Sequence, residues 1–403
     1  MLLLVLTAVV LGTLLFWALA FSSYVVVLII SGRRATKLAP PHAPFKRLLV
    51  LVPAHNEELL LGECIKSLQS LKYPAEYFTI LVVADNCSDR TAPIARAAGV
   101  QVLERSNLQE MGKGYALAFG IENALPNSEY DGVVVIDADT VVSPNLLSVF
   151  NDRLCAGASA IQARHSIRNW DVNWFTRLAE ARFVLFNHAM SAGRANLRLS
   201  ADLAGNGMCF SKTLLGHVPW EAYSITEDVE YARRLLLRGY IVEYAPDARV
   251  FSDTPTHPKA ARGQRRRCEV GRWHVFRSFL VPLLRPPVSR RNVAAALDLA
   301  VPSFTAFLSL VLVGVALTVC SITILPENVW RSLMTLWFIS LLLISGAVTS
   351  ALLRECPARV TLSLARVPWY LVWKNIMLVT SGVRRGATPW ARADRERPDS
   401  GIS

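Results

Sequence analysis

The chain has 403 residues, 52% hydrophobic and 18% charged, with a mean hydropathy of +0.33. That is too apolar for an ordinary soluble enzyme and too charged for membrane helices alone, so segments of both kinds are expected. The net charge of +12 gathers beside apolar runs, which points to membrane lipids rather than nucleic acid as the partner, and seven scattered cysteines without C-x-x-C spacing argue against a disulfide framework or a structural zinc site.

Residues 1–32 carry no Asp, Glu, Lys or Arg, enough to cross a bilayer. Ala18-Leu19-Ala20 has the small-x-small form of a cleavage site. No basic residue precedes the run, however, and it exceeds a signal peptide's apolar region, so an uncleaved anchor is expected. Arg33, Arg34 and Lys37 follow it, and positive flanks stay cytoplasmic. Residues 33–298 should then face the cytoplasm.

From residue 46 to 255 strands and helices alternate. Leu48–Val52 reads as a buried strand, Leu60, Leu61, Cys64, Ile65, Leu68 and Leu71 as a helix face, and residues 80–84 as a second strand. A helix then runs to Ala98, closed by Gly99. Val100–Leu103 starts a third unit with a helix at Tyr115–Ala124, and Gly132–Ile136 is a fourth strand. Continuous apolar strands between amphipathic helices imply an α/β unit, a mostly parallel sheet covered on both faces. Ligands of such sheets bind beyond the carboxyl ends of the strands, where His55, Asn56, Glu57, Asp85, Asn86, Asp137 and Asp139 collect.

Interfacial helices are expected over 256–298. The segment 299–383 should hold two further spans, within 299–326 and 332–353, which lack charged side chains. Residues 360–383 are interrupted by Arg366, Pro368 and Lys374. They read as an interfacial helix with Trp369, Tyr370 and Trp373 at headgroup level. Residues 384–403 form a basic cytoplasmic tail, with disorder expected from Ala391.

Asp137-Ala138-Asp139 ends an apolar strand. If the strand continues, both carboxylates share a face and suit Mg²⁺ or Mn²⁺, which completes its shell with water and substrate phosphates. A strand-end turn is the plainer account of the same residues. Asp85-Asn86-Cys87-Ser88-Asp89 follows the second strand, either as turn and cap residues or with Asp85 accepting hydrogen bonds from a nucleoside. Gly112-Lys113-Gly114 lacks P-loop spacing and reads as a flexible loop that can bring a cation to a nucleotide, or as a solvated turn. Thr226 can cap the helix that Glu227 and Asp228 open. Favourable helix-dipole placement suffices for Glu227, while Asp228 is the candidate base. Gln264-Arg265-Arg266-Arg267 is the densest cation cluster. It reads as a lipid-bound polybasic stretch or as a source of an Arg for a departing diphosphate. Gly205-Asn206-Gly207 would let backbone approach a ligand closely.

In order and spacing, the segments Val52-Pro53-Ala54-His55-Asn56-Glu57-Glu58, Asp85–Asp89, Gly112–Gly114, Asp137–Asp139, Gly205–Gly207, Thr226–Asp228 and Gln264–Arg267 resemble the inverting family 2 membrane glycosyltransferases. That group includes the cellulose, chitin, hyaluronan and poly-N-acetylglucosamine synthases. The resemblance covers about residues 47–272, and the tail at 368–395 is similar to bacterial members. It implies a GT-A fold and a nucleotide-sugar donor, a UDP-sugar by preference. Pro53, His55, Glu57, Asp85, Lys113, Asp137, Gln264 and Arg267 would sit on the donor, and Gly205, Asn206, Gly207 and Glu227 on the acceptor. Asp139 would bind the metal and Asp228 would be the base. It further implies a multi-pass protein of the bacterial inner membrane serving cell-surface polysaccharide synthesis, with other polysaccharide-assembly proteins as candidate partners. One departure stands out: where the family motif Q-x-x-R-W has Trp, this chain has Cys268. The expected reaction is transfer to a glycan or lipid-linked acceptor. The alternatives are a lipid glycosyltransferase with a diacylglycerol, sphingoid or polyprenol acceptor, a non-catalytic membrane scaffold, and a nucleotidyltransferase.

Overall fold

The computed structural model describes residues 1–33, 44–126, 128–300 and 303–380. Arg34, Lys37 and the expected tail at 384–403 lie outside them. Four strands, β1 (Leu48–Ala54), β2 (Phe78–Asp85), β3 (Gln101–Arg105) and β4 (Gly132–Val135), pair in parallel. Four more, β5 (Thr140–Val142), β6 (Ala160–Ile167), β7 (Met208–Ser211) and β8 (Val242–Ser252), complete one sheet in the order β3-β2-β1-β4-β7-β6-β8-β5.

Side-chain alternation explains why the strands are apolar throughout. Leu48, Val50 and Val52 enter one core with Leu61, Cys64, Ile65 and Leu68 of the Leu61–Gln69 helix. Leu49 and Leu51 enter the other with Ala116, Leu117 and Ile121 of the Lys113–Ala124 helix. Each such Leu or Val buried from water stabilises the fold by about 1.5–3 kcal/mol. Pro53 is tolerated in a central strand because pairing with β4 stops at Leu51↔Val135, so its missing N–H is not required there. The parallel expectation holds for β1 to β4 and for the β6–β8 pair. It fails at β7, antiparallel to both β4 and β6, and at β5, antiparallel to β8. The fourth strand also stops at Val135, so Asp137 and Asp139 lie in the turn before β5, and strand alternation does not govern their direction.

Among the described residues three helices are long and apolar enough to cross a membrane: Leu2–Ser31, Phe304–Thr323 and Glu327–Glu355. They share a core of Leu15, Phe21, Val25, Phe307, Trp337 and Ile344, and Ser22 and Ser340 hydrogen-bond across it at 3.0 Å. Val184, Leu185 and Met190 of the sheet-bearing unit join the same core. The first span meets the Met190–Asn196 helix with almost no gap, since a Cβ on Gly193 would lie 2.0 Å from the Leu28 carbonyl oxygen. Gly193→Val therefore separates the two helices. A loss of about 1–3 kcal/mol is expected, read as a lower melting temperature in detergent.

The expected interfacial segment is the Ala358–Leu362 helix, a tight turn, and the Val367–Thr380 helix. Trp369 is exposed as expected. Tyr370 and Trp373 are half-buried and pack on Phe175, with ring centroids 6.0 and 5.9 Å away. Lys374, read as an interruption, is buried, and its Nζ donates to Glu269 Oε1 at 2.6 Å.

Candidate active site

The carboxyl ends of β1, β2 and β4 form one rim. Two turns there rest on asparagines in the left-handed region, Asn56 (φ 56°) and Asn86 (φ 51°), where Asn is among the better tolerated residues. Asn56 Oδ1 accepts from Ser88 N at 2.8 Å, and Asn86 Oδ1 from Asn107 N at 2.8 Å. His55 Nδ1 bonds the Asp85 carbonyl at 2.8 Å, joining the ends of β1 and β2. Asp89 is structural: it accepts from Thr91 N at 2.9 Å and Glu58 N at 3.1 Å. Glu57 N in turn donates to Thr91 Oγ1 at 2.8 Å.

Asp85 is fully buried at the end of β2. Its Oδ1 accepts from Arg105 Nη1 at 2.9 Å and Asn86 Nδ2 at 3.1 Å, while Oδ2 has no partner. Burial raises its carboxyl against the lowering pull of Arg105. A cavity of about 250 Å³ opens beside it, lined by Ala84, Asn86, Cys87, Arg105 and Leu108. Arg105 escaped the sequence reading, yet strand register carries the signal, since it pairs directly with Asp85.

Lys113 is the hub of the second cluster. The expected flexible loop is instead the first turn of the Lys113–Ala124 helix, preceded by Gly112 at φ 144°. Gly114 must lack a side chain, because a Cβ there would lie 2.2 Å from the Ala222 carbonyl oxygen. Lys113 Nζ reaches Asp137 Oδ1 at 2.5 Å, the Gly205 carbonyl at 2.5 Å and Glu227 Oε1 at 3.6 Å. Burial alone would lower its ammonium. Asp137, Glu227 and Asp228 outweigh burial and hold it above its ordinary value.

Glu227 and Asp228 open the Glu227–Leu237 helix. Thr226 does not cap it through its side chain, contrary to expectation. The residue is instead pressed against Gly271 of the Pro258–Leu283 helix, where a Cβ would lie 2.5 Å from Thr226 Cγ2. Asp228 Oδ1 accepts from Val229 N at 2.8 Å, and Oδ2 lies 3.2 Å from where a Gly205 Cβ would be. Gly205 (φ 75°) thus serves twice, in backbone shape and in close approach. Burial raises the carboxyls of both Glu227 and Asp228. Gly207 (φ 68°) packs on Val250 and Ala163. Asn206 is fully buried; its Nδ2 donates to Thr140 Oγ1 at 2.6 Å and its Oδ1 accepts from Asp137 N at 3.2 Å. Both amide atoms are thereby engaged within the protein, so Asn206 orients the Asp137 turn rather than offering its amide to an acceptor.

Asp139 sits half-buried with Thr140 Oγ1 3.3 Å from its Oδ1. Among the described residues no group of three or more His, Cys, Asp and Glu is disposed to hold a metal by itself. The acidic turn is nonetheless a hard oxygen site, which fits a Mg²⁺ or Mn²⁺ that draws most of its shell from water and substrate phosphates. His165, also missed by the sequence reading, interacts electrostatically with Asp139, Lys113 and Arg182; burial lowers it to about 4, so it is neutral at pH 7. Gln264 and Arg267 lie on the Pro258–Leu283 helix, Gln264 exposed and outside the hydrogen-bonded network around Lys113, and Arg267 half-buried. Cys268 is exposed there as well.

Residues 44–271, more than half the chain, match the family described as glycosyltransferase like family 2. The chain belongs to glycosyltransferase family 2. A curated Bacillus subtilis protein, probable glycosyltransferase YdaM, is 26% identical over 276 residues, 65% of this chain and 63% of that protein. The beta-monoglucosyldiacylglycerol synthase of Synechocystis is 28% identical over 278 residues, 64% of this chain and 56% of that protein. This family 2 chain thus aligns with less than two thirds of the length of those relatives. A mannosyltransferase from Pyrobaculum calidifontis, solved with GDP-Man and Mn²⁺, superposes with a TM-score of 0.56 at 16% identity, over 91% of this chain and 99% of that one. The likeness establishes the GT-A fold.

Proposed function

We propose that the protein is a membrane-bound inverting glycosyltransferase that moves a sugar from a nucleotide-sugar donor to a lipid acceptor hydroxyl. The observation that carries the reading is the pairing at one rim of two separate clusters, the buried Asp85 with an open acceptor atom and the Lys113–Asp137–Asp228 group. Asp85 would accept from the nucleobase, with a UDP-sugar as the preferred donor, and His55 and Glu57 would line the same end. Lys113 would neutralise donor phosphate. Asp137 and Asp139 would hold Mg²⁺ or Mn²⁺, which as a Lewis acid would stabilise charge on the leaving diphosphate. Asp228 would take the proton from the acceptor hydroxyl as that oxygen attacks the anomeric carbon from the face opposite the diphosphate.

A lipid acceptor is favoured over a growing polymer by three facts. Cys268 offers no ring on which a sugar could stack. Trp273 is engaged elsewhere, stacked on Phe276 at 5.2 Å with Arg277 over it at 4.9 Å. A relative of the same family is named a glucosyldiacylglycerol synthase. Synthesis of a cell-surface polysaccharide, with the catalytic unit on the cytoplasmic face of a bacterial inner membrane, is the second reading; the apolar spans and the Arg33 flank support that orientation in either case. The test offers radiolabelled UDP-sugars and diacylglycerol to the purified protein, then partitions the product. Label in the organic phase supports the lipid acceptor, and label in a water-soluble polymer supports the second reading.

The base assignment also fixes a pH dependence. Asp228 works only when ionised, so turnover is lost as pH falls through its pKa. Burial and the Asp137 carboxylate raise that pKa against the lowering effect of Lys113, with Glu227 adjacent. The acid limb of kcat/KM is expected above the ordinary Asp value of about 3.9. A limb at or below that value would contradict the assignment.

A further inference from the structure

Apolar packing holds the Glu227–Leu237 helix, which carries Asp228, on two sides. Tyr231, Ala232 and Leu235 enter the sheet core. Leu236 meets Val275 and Leu283 of the Pro258–Leu283 helix and Ala295, Ala296 and Leu299 of the Arg290–Ala300 helix. Such contacts are non-directional and leave a helix some freedom to slide and turn. A directional tie comes from Arg233, whose side chain is only 4% exposed and whose Nη2 donates to Asp202 Oδ1 at 2.6 Å.

Asp202 is a fixed point. Ala201 N donates to the Val242 carbonyl at 2.9 Å and Ala204 N to Gln162 Oε1 at 2.8 Å, so β8 and β6 grip the chain on either side of it. The same segment runs into Gly205, whose carbonyl accepts from Lys113 Nζ and which lies against Asp228. Segment and helix therefore meet twice. They meet at Gly205 and Asp228, and again at Asp202 and Arg233, five residues or about 7.5 Å along the helix. Behind Asp202 the network continues towards the membrane. Arg194 Nη2 lies 3.8 Å from Asp202 Oδ2 and donates to Asp298 Oδ1 at 2.6 Å, and Tyr24 of the first span donates to the same oxygen at 3.2 Å. Arg272 also acts electrostatically on Asp202. Nε of Arg194 and of Arg233 is buried without a partner, so the two guanidinium groups rest on these carboxylates.

We propose that Asp202 is a positioning residue for sugar transfer: through Arg233 it sets the gap between Asp228 and the Gly205 turn, where the acceptor hydroxyl enters. This rests on the reading of Asp228 as the base given above. In-line transfer needs base, hydroxyl and anomeric carbon in one near-attack arrangement, and a misplacement of about 1 Å costs on the order of a hundredfold in rate. Apolar contacts tolerate such a shift, whereas an ion pair pinned to the sheet does not. Because Asp298 and Tyr24 hold Arg194, the same network brings the first span to the element that sets the gap.

The experiment uses the protein in detergent as wild type, Asp202→Asn, Arg233→Met and Arg233→Lys, each also combined with Asp228→Asn. Arg233→Lys keeps a cation opposite Asp202 and remains informative should a variant that strands a buried charge fail to fold. Release of nucleoside diphosphate is followed with UDP-glucose, UDP-N-acetylglucosamine and GDP-mannose over a membrane lipid extract with Mn²⁺, and calorimetry measures UDP and GDP affinity. The expected result is a kcat lowered roughly ten- to hundredfold in Asp202→Asn and Arg233→Met and less in Arg233→Lys. Nucleotide affinity should stay within a few-fold of wild type and the acid limb of kcat/KM should stay in place, since Asp228 is still the base. In the Asp228→Asn background the same changes should cost little more, because residues that act as a unit do not contribute independently. A wild-type kcat in every folded variant, or losses that multiply with that of Asp228→Asn, overturns this inference alone. Near-normal turnover of Asp228→Asn by itself overturns the base assignment and this inference with it, and wild-type protein that releases nucleoside diphosphate from no donor overturns the glycosyltransferase reading as well.

Discussion

Asp228→Asn is expected to lower kcat by roughly 10²–10⁴-fold while leaving donor affinity within a few-fold of wild type. The substitution keeps the shape of the side chain, and the Asn oxygen can still accept from Val229 N, as Asp228 Oδ1 does at 2.8 Å. What it removes is the basic atom facing Gly205. Because Asp228 makes no direct contact with Asp85, the nucleoside end should be untouched. Burst measurements of sugar transfer together with calorimetric donor binding separate the two effects. Near-normal turnover would mean that another group, with Glu227 first in line, takes the proton.

Lys113→Met is expected to have the second large effect, on stability as well as binding. The wild-type ammonium contacts Asp137 and Glu227 and lies within electrostatic reach of Asp228. Removing it leaves three carboxylates facing one another in a recess, and breaking one partner of such a buried arrangement costs about 3–5 kcal/mol. Part of that cost disappears if the carboxylates take up protons, so the variant should be more stable at low pH relative to wild type than at neutral pH. Thermal melts at several pH values, with UDP affinity beside them, check this. Equal melting temperatures and equal affinity at neutral pH would show that Lys113 is a solvated bystander.

The sequence made the parallel half of the sheet legible because β1, β2 and β4 are unbroken apolar runs, and because polar residues at their carboxyl ends have few uses other than a site. It did not make β5 to β8 legible. β5 and β7 are too short for periodicity, and β6 carries Gln162, Arg164 and His165, which find distant partners such as Asn206, Glu355 and Ser252. Local spacing also cannot reveal that Lys113 sits inside a helix, since that depends on Gly114 meeting Ala222 across the fold. Asn206 reads as a turn signal for the same reason: its partners, Thr140 and Asp137, are more than sixty residues away. The contact of the aromatic residues at 370 and 373 with Phe175 is likewise hidden from composition, because that partner lies far away in the sequence.

The central claim is sugar transfer from a nucleotide sugar. Its most direct test is release of nucleoside diphosphate by the purified protein, offered UDP- and GDP-sugars with Mg²⁺ or Mn²⁺ and a membrane lipid extract. Metal-dependent release from one donor, abolished by Asp139→Ala, is the predicted result. Nucleotide binding with no release from any donor, or release of pyrophosphate in place of nucleoside diphosphate, would contradict it.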